Sequence, residues 1–352
     1  MPLERPDLSE VSPAVLAYIE SLEAELAART PRRARAVVES APEPEPDAEP
    51  ELCEPPTTIN LITLSARGMI KRTPRHLYGR QRRGGMGIFD LDTPEDAPPI
   101  TLTLADESAT LLLFSDQGRS YRLPVNRLAE SPIRARGVFL AELLTLRPDE
   151  RIVAALPDTG GDQVALVGAR GWVTLAPASF VGKSMIPGVA YYDAKERGPL
   201  AAACWSGADD ELLIASYTGL AIRFPARRVP KNGCLGIRLE KGDAVVGVTA
   251  APEASSVFLV SADGKGTLRL MSGFQSNKSP GGGGKIALKT EHLTGVVSAG
   301  EGDDLFIISR NSKLIRFRTA EVPPKEGVVQ GVNCMALRGD ETAAVAAVKL
   351  AE

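Results

Sequence analysis

Leu212-Leu213-Ile214-Ala215-Ser216-Tyr217-Thr218-Gly219-Leu220-Ala221-Ile222-Arg223-Phe224 reads as a β-hairpin. Leu212 to Ala215 is a compact apolar strand, and Ser216 to Gly219 is a turn in which glycine accepts a positive φ without a Cβ clash. Leu220 to Phe224 alternates enough to return as the partner. Downstream, Gly236-Ile237-Arg238-Leu239 makes a third short strand, and Gly242-Asp243 turns into Val245-Val246-Gly247-Val248. Four short strands bounded by glycine and aspartate turns make one antiparallel blade. Such a blade cannot bury both faces alone and must stack on neighbours.

The hairpin pattern occurs six times: SARGMIKR from Ser65, SDQGRSYR from Ser115, GARGWVTL from Gly168, SYTGLAIR from Ser216, SADGKGTL from Ser261 and SRNSKLIR from Ser309. The turn position holds Gly68, Gly118, Gly171, Gly219, Gly264 and, in the last copy, Ser312. Spacings of 50, 53, 48, 45 and 48 residues match the blade period of a propeller. The expected fold is all-β, a six-bladed β-propeller over residues 57–350, preceded by a short N-terminal helix (1–30) and a disordered acidic, Pro-rich linker (31–56).

A chain of 352 residues with 43% apolar content can bury a substantial core, packed mainly by aliphatic side chains because aromatics are only 5%. No apolar run approaches the length that spans a bilayer, and the N-terminus lacks a signal-peptide apolar segment, so a cytoplasmic protein without membrane contact is expected. Cys53, Cys204, Cys234 and Cys334 form no CxxC pair and read as reduced structural thiols. The net charge of −3 hides an asymmetry: residues 1–55 carry 13 acids and 5 bases, residues 56–352 carry 31 and 36. A mildly basic body beside an acidic arm suits a polyanion partner only where the bases cluster.

In the arm, Ser12-Pro13 is an N-cap followed by proline at the first helical position. Val15, Ile19, Leu22 and Leu26 then follow at spacings of 4, 3 and 4, a seam under three heptads long. It suits either a weak dimerisation or docking helix or an amphipathic helix laid on the propeller. The oligomeric state stays open. The tract from Pro42 to Glu51 is a solvated linker, read either as a plain spacer or as a competitor for the basic face of the blades.

After each hairpin comes a loop with glycine and at least one Lys or Arg: Arg80–Gly87, 134–137, 182–188, 231–236, 277–285 and 325–331. The first contains Gln81-Arg82-Arg83-Gly84-Gly85-Met86-Gly87. Glycines let a backbone approach a ligand closely, and arginines present planar donor forks that suit phosphate. This heptapeptide resembles QRRGGKG, the hallmark box of the gyrase A C-terminal domain, with Met86 in place of lysine. The hairpins from Ile62 to Pro74 and from Leu112 to Arg122 are similar to the first two blades of that family, a six-bladed β-pinwheel found in DNA gyrase A and its topoisomerase IV counterpart. The resemblance covers residues 59 to about 349 and fades in the third and fifth blades.

The resemblance implies a protein that binds and bends or wraps duplex DNA around a basic rim. In the family, this wrapping directs strand passage toward negative supercoiling, so gyrase or topoisomerase IV core subunits are expected partners. Candidate DNA contacts in the first blade are Lys71, Arg72, Arg75, Arg80, Gln81, Arg82, Arg83, Gly84, Gly85 and Gly87. Further round are Arg119, Arg122, Arg134 and Arg136, then Arg223, Arg227, Arg228 and Lys231, then Lys285, Lys313, Arg316 and Arg318. The third blade is thin, because Leu175 stands where Arg72, Arg122, Arg223 and Arg316 stand in other copies.

No catalytic role, metal or cofactor is expected: His76 and His292 lie in different repeats, and Gly281 to Gly284 lacks a phosphate-loop pattern. The family's DNA-cleaving tyrosine follows an arginine in a large upstream domain, whereas none of the six tyrosines here follows one. A free-standing, non-catalytic pinwheel is therefore expected. The alternative is a protein-interaction propeller that kept this fold without wrapping DNA.

Overall fold

The computed structural model describes residues 12, 13, 15, 17–22 and 54–348. The chain divides into two compact units, Met1–Glu49 and Pro50–Glu352. In the first, residues 13, 15 and 17–22 are helical, with Val15, Tyr18 and Leu22 exposed and Ile19 half-buried. Leu26 and the Pro42–Glu51 tract lie outside the described residues.

The second unit is a ring of six small sheets, a six-bladed β-propeller. Counted outward from the axis, the first sheet runs Pro99–Asp106, Ile59–Ser65, Met69–Pro74 and Val138–Phe139. The inner strands of neighbouring sheets touch all the way round, and Pro99–Asp106 meets both Ile152–Pro157 and Thr342–Val348. Near the axis the strands converge on small and β-branched residues such as Ala201, Ala203, Val246 and Ala343, which line a central cavity of about 330 Å³.

One detail departs from the four consecutive strands read from the fourth repeat. Five of the six sheets take their outermost strand from the following repeat, and the second, built from Thr110–Ser115, Ser120–Pro124 and Ile152–Pro157, has only a single bridge there, between Arg119 and Ala190. Cys234–Leu235 pairs with Trp172 and Val173 of the third hairpin, and Lys285–Ile286 pairs with Leu220 and Ala221 of the fourth. The exchange closes on itself, because Ile88–Phe89, just after the first repeat's basic loop, pairs with Lys313 and Leu314 of the sixth hairpin. Periodicity marks a strand but not its partner, and a two-residue strand carries too little pattern to choose one.

Burial explains why the hairpin strands read as continuous apolar runs. Leu111 and Leu113 point into the cluster shared with the first blade, while Leu112 and Phe114 point into the cluster shared with the third. Alternate side chains of one strand leave opposite faces, and both faces here are covered. The same parity gives Leu212 and Ile214 to one seam and Leu213 and Ala215 to the next. The core is thus a set of inter-blade layers.

The repeated turn follows from local geometry. Its glycines take φ values of 74 to 86°, and Ser312 adopts 59° in the copy without one. The serine that opens most copies sits at a β-bulge, where its hydroxyl accepts from the second strand: Met69 N to Ser65 Oγ at 3.1 Å, Arg119 N to Ser115 Oγ at 3.2 Å and Lys313 N to Ser309 Oγ at 3.1 Å. Burial pushes the thiols of Cys204 and Cys334 up to about 12. None of the described helices is long and apolar enough to cross a membrane.

Candidate nucleic-acid interface

The arginine four residues after the turn recurs in four of the six blades, and in each it reaches into the next blade. Arg72 donates to Leu128 O (3.3 Å), Arg122 to Lys183 O (3.0 Å), Arg223 to Phe274 O (2.8 Å) and Arg316 to Tyr78 O (3.0 Å). Each acceptor lies in or at the end of the short 3₁₀ turn that follows the neighbouring hairpin. Three of the four are also held from behind by a polar residue on the preceding strand. Nε of Arg72 donates to Asn60, that of Arg223 to Glu211 and that of Arg316 to Asp304, each twelve positions earlier. Arg72, Arg223 and Arg316 are accordingly buried, at 7%, 2% and 1% exposure. Their donors are engaged inside the protein, unlike the outward-facing rim expected of them.

Arg75 and Lys71 are withdrawn from solvent as well. Arg75 forms two bonds to the Glu54 carboxylate (2.9 and 3.1 Å), and Arg316 binds the same carboxylate at 3.1 and 2.9 Å. Glu54 thereby joins the first and last blades. Burial alone would raise its pKa, but the two guanidiniums outweigh burial and hold it below the ordinary 4.5. Lys71 is an ion-pair partner of Asp90, both side chains being fully buried, and its Nζ also donates to Asp90 O at 2.8 Å. Asp90 further accepts from Tyr78 (2.5 Å) and Thr63 (3.0 Å). A buried charge is tolerated only when paired and hydrogen-bonded, and Asp90 is so on every side.

That network sits directly behind the strand Ile88–Phe89 and fixes the glycine-rich loop before it. Arg80 pairs with Asp304 (3.0 Å), Gln81 N donates to Arg316 O (2.8 Å) and Gly84 N to Cys334 O (2.7 Å). Arg83 lies along the sixth blade, with its backbone N donating to Glu321 Oε2 (2.9 Å), Nε to Glu321 O (2.7 Å) and a terminal nitrogen to Asn333 O (3.1 Å). Gly87 has φ of 72°, and a Cβ there would stand 2.7 Å from Leu314 O, so the close backbone approach demands glycine. Gly84 and Gly85 pack against Asn333 and Ile315. The loop is the ring's fastener. Arg82 and Met86 are its two exposed residues.

The remaining candidates divide by exposure. Arg119 is half-buried beside Glu150 (3.5 Å), and Arg122 lies 3.5 Å from Asp158. Lys313 is half-buried opposite Phe89. Arg134, Arg136, Arg227, Arg228, Lys231, Lys285 and Arg318 are exposed. Of these, only Arg227 has an ion pair among the described residues, a solvent-exposed one with Asp209 at 3.9 Å. Arg136 precedes Gly137 as Met86 precedes Gly87, so the second blade's loop carries a cation where the first carries a thioether.

Sequence reading missed Asn60, Glu211 and Asp304 as partners of the strand arginines. The signal was present as a polar residue twelve positions before each arginine. It also missed Glu54 and Asp90, whose partners lie on other strands and leave no spacing to read.

Comparison with known proteins places this geometry. Residues 60–97, 109–157, 210–252 and 303–349 match the family described as "DNA gyrase C-terminal domain, beta-propeller". The DNA gyrase A protein of Escherichia coli is 29% identical over 293 residues, covering 80% of this chain and 33% of that protein. The Lawsonia intracellularis counterpart is 30% identical, covering 79% and 36%. The chain thus spans about a third of the length of the curated relatives it matches. Among solved structures, a DNA gyrase A C-terminal domain superposes with a TM-score of 0.71 at 21% identity over 82% of this chain and 99% of that one. A topoisomerase IV C-terminal domain gives 0.59 at 17% identity over 83% and 93%, and both likenesses establish the fold. The chain belongs to the family of DNA gyrase C-terminal β-propeller domains.

Proposed function

We propose that this chain binds duplex DNA without catalysing a reaction on it, and bends or wraps the duplex along the outer rim of the propeller. The observation that carries the reading is the division among its basic residues. The buried ones close seams, while Arg82, Arg134, Arg136, Arg227, Arg228, Lys231, Lys285 and Arg318 face solvent in peripheral loops and turns. Cations spaced around a rigid ring can neutralise successive phosphates of a curved duplex, whose elastic cost is offset by contacts along the path. The family supports a role beside a type IIA topoisomerase in the bacterial nucleoid.

If about eight phosphates are neutralised, log K for a duplex of roughly 100 base pairs falls with log salt at a slope near −7. Arg82→Ala weakens binding and makes the slope shallower by about 1, and Met86→Lys tightens it. Titrations from low to moderate salt read all of these. A wild-type slope shallower than about −2 is incompatible with wrapping.

A further inference from the structure

The third blade looked poorest in cations, yet a groove of about 840 Å³ opens on its periphery. Trp172 and Tyr191 line it, together with Arg147 from the second repeat, Lys195 and Arg197 from the third and Lys231 from the fourth. The Arg197 guanidinium lies 3.7 Å over the Trp172 ring, which fixes the planar fork by cation–π contact while leaving its N–H edge available. Among the described residues, none of Arg147, Lys195, Arg197 and Lys231 has an ion pair. The groove's two acids are engaged by backbone: Asp116 Oδ1 accepts from Arg151 N (3.1 Å), and Asp193 Oδ1 accepts from Glu196 N (3.2 Å) at the start of the helix Ala194–Arg197. Four cations without carboxylate partners around one concavity make a site for phosphate.

We propose that this groove is a phosphate-binding station that carries duplex DNA across the third blade, replacing the cation that the thin hairpin lacks. The inference rests on the DNA-wrapping reading. It goes beyond that reading because the station is built from three repeats at once, around an arginine–tryptophan stack within the third repeat that the repeat pattern does not predict. The groove and the glycine-rich fastener lie in different parts of the ring, so only a duplex that follows the rim can touch both.

The test compares wild type with Arg147→Ala/Lys195→Ala/Lys231→Ala, three exposed residues outside the core. Binding is titrated with a short duplex of about 20 base pairs and a long one of about 100, with Arg82→Ala as control. For the long duplex, the expected result is a slope shallower by about 2 to 3, together with loss of one segment of hydroxyl-radical protection. The short duplex spans only part of the rim, so its slope is expected to become shallower by no more than about 1, the share of Lys231. If the triple variant keeps the wild-type slope and footprint while Arg82→Ala alters them, the groove proposal fails and the wrapping reading stands. A wild-type slope shallower than about −2 overturns the wrapping reading, and the station with it. Trp172 fluorescence titrated with a nucleoside triphosphate separates the other source of phosphate. Quenching that the triple variant abolishes, with the long-duplex slope unchanged, marks a small-nucleotide site and overturns the proposal.

Discussion

Arg316→Ala is expected to lower the stability of the propeller by about 3–5 kcal/mol, the combined cost of weakening two buried ion pairs and leaving two buried carbonyls without their donor. Arg316 is 1% exposed and bonds to Asp304, which is fully buried, to Glu54 and to the carbonyls of Arg75 and Tyr78. Alanine leaves each carboxylate with one cation instead of two, Arg80 for Asp304 and Arg75 for Glu54, and two carbonyls short of a donor, at the one seam where the chain's first and last blades meet. The melting temperature should fall by about 6–15 °C. The pH dependence carries the sign. Glu54 in the wild type is held below 4.5, so its contribution is present above 4.5 and lost as pH falls through the lower folded value. In Arg316→Ala the main lowering influence is gone, so the deficit relative to wild type should shrink as pH falls. Denaturant titrations at neutral and acid pH measure both effects. A loss under about 1 kcal/mol at neutral pH would show that the seam does not depend on this clasp.

Asp90→Ala should produce a comparable loss by the opposite charge. Lys71 would remain fully buried with only the carbonyl of residue 90 as acceptor, and Tyr78 and Thr63 would each lose a partner. A stranded buried ammonium costs about 3–5 kcal/mol. In the wild type, burial lowers the Lys71 pKa and Asp90 partly restores it, with a net value below 10.5. Between the folded value and 10.5 the unfolded state binds more protons, so stability rises with pH in that window. Removing Asp90 extends the window downward, and the variant should regain stability on the alkaline side more steeply than wild type. Because Asp90 follows Phe89, the fastening loop should also loosen and DNA affinity should drop although no exposed cation has changed. Asp90→Asn, whose amide oxygen can still accept from Tyr78 while its NH2 donates to the Thr63 hydroxyl, should be milder. Equal stability of Asp90→Ala and wild type would show that ring closure does not depend on the Lys71–Asp90 pair.

Much of the architecture is written in local pattern. A turn glycine every 45 to 53 residues and apolar runs before it were enough for six blades, because those features are fixed by backbone geometry and two-sided burial. The strand exchange was not legible, since Ile88–Phe89 and Cys234–Leu235 are two-residue strands whose partners are chosen by ring closure. The site was read less well for a related reason. Arg72, Arg122, Arg223 and Arg316 recur with the blade period, and recurrence alone does not say whether a side chain points outward or across a seam. Burial and the residue twelve positions earlier resolve it for three of them. The composite groove around Trp172 leaves no periodic trace, because the second, third and fourth repeats contribute its cations from different positions within the repeat.

The most direct test of wrapping is ligation of a singly nicked DNA circle in the presence of saturating protein, followed by deproteinisation and separation of topoisomers. A duplex led around a curved rim stores a defined writhe, which ligation converts into a change in linking number. The expected result is a topoisomer distribution displaced to one side in proportion to bound protein, with the displacement reduced by Arg82→Ala. An unchanged distribution under conditions where binding to the same circle is saturated would contradict wrapping and leave a propeller that docks proteins instead of shaping DNA.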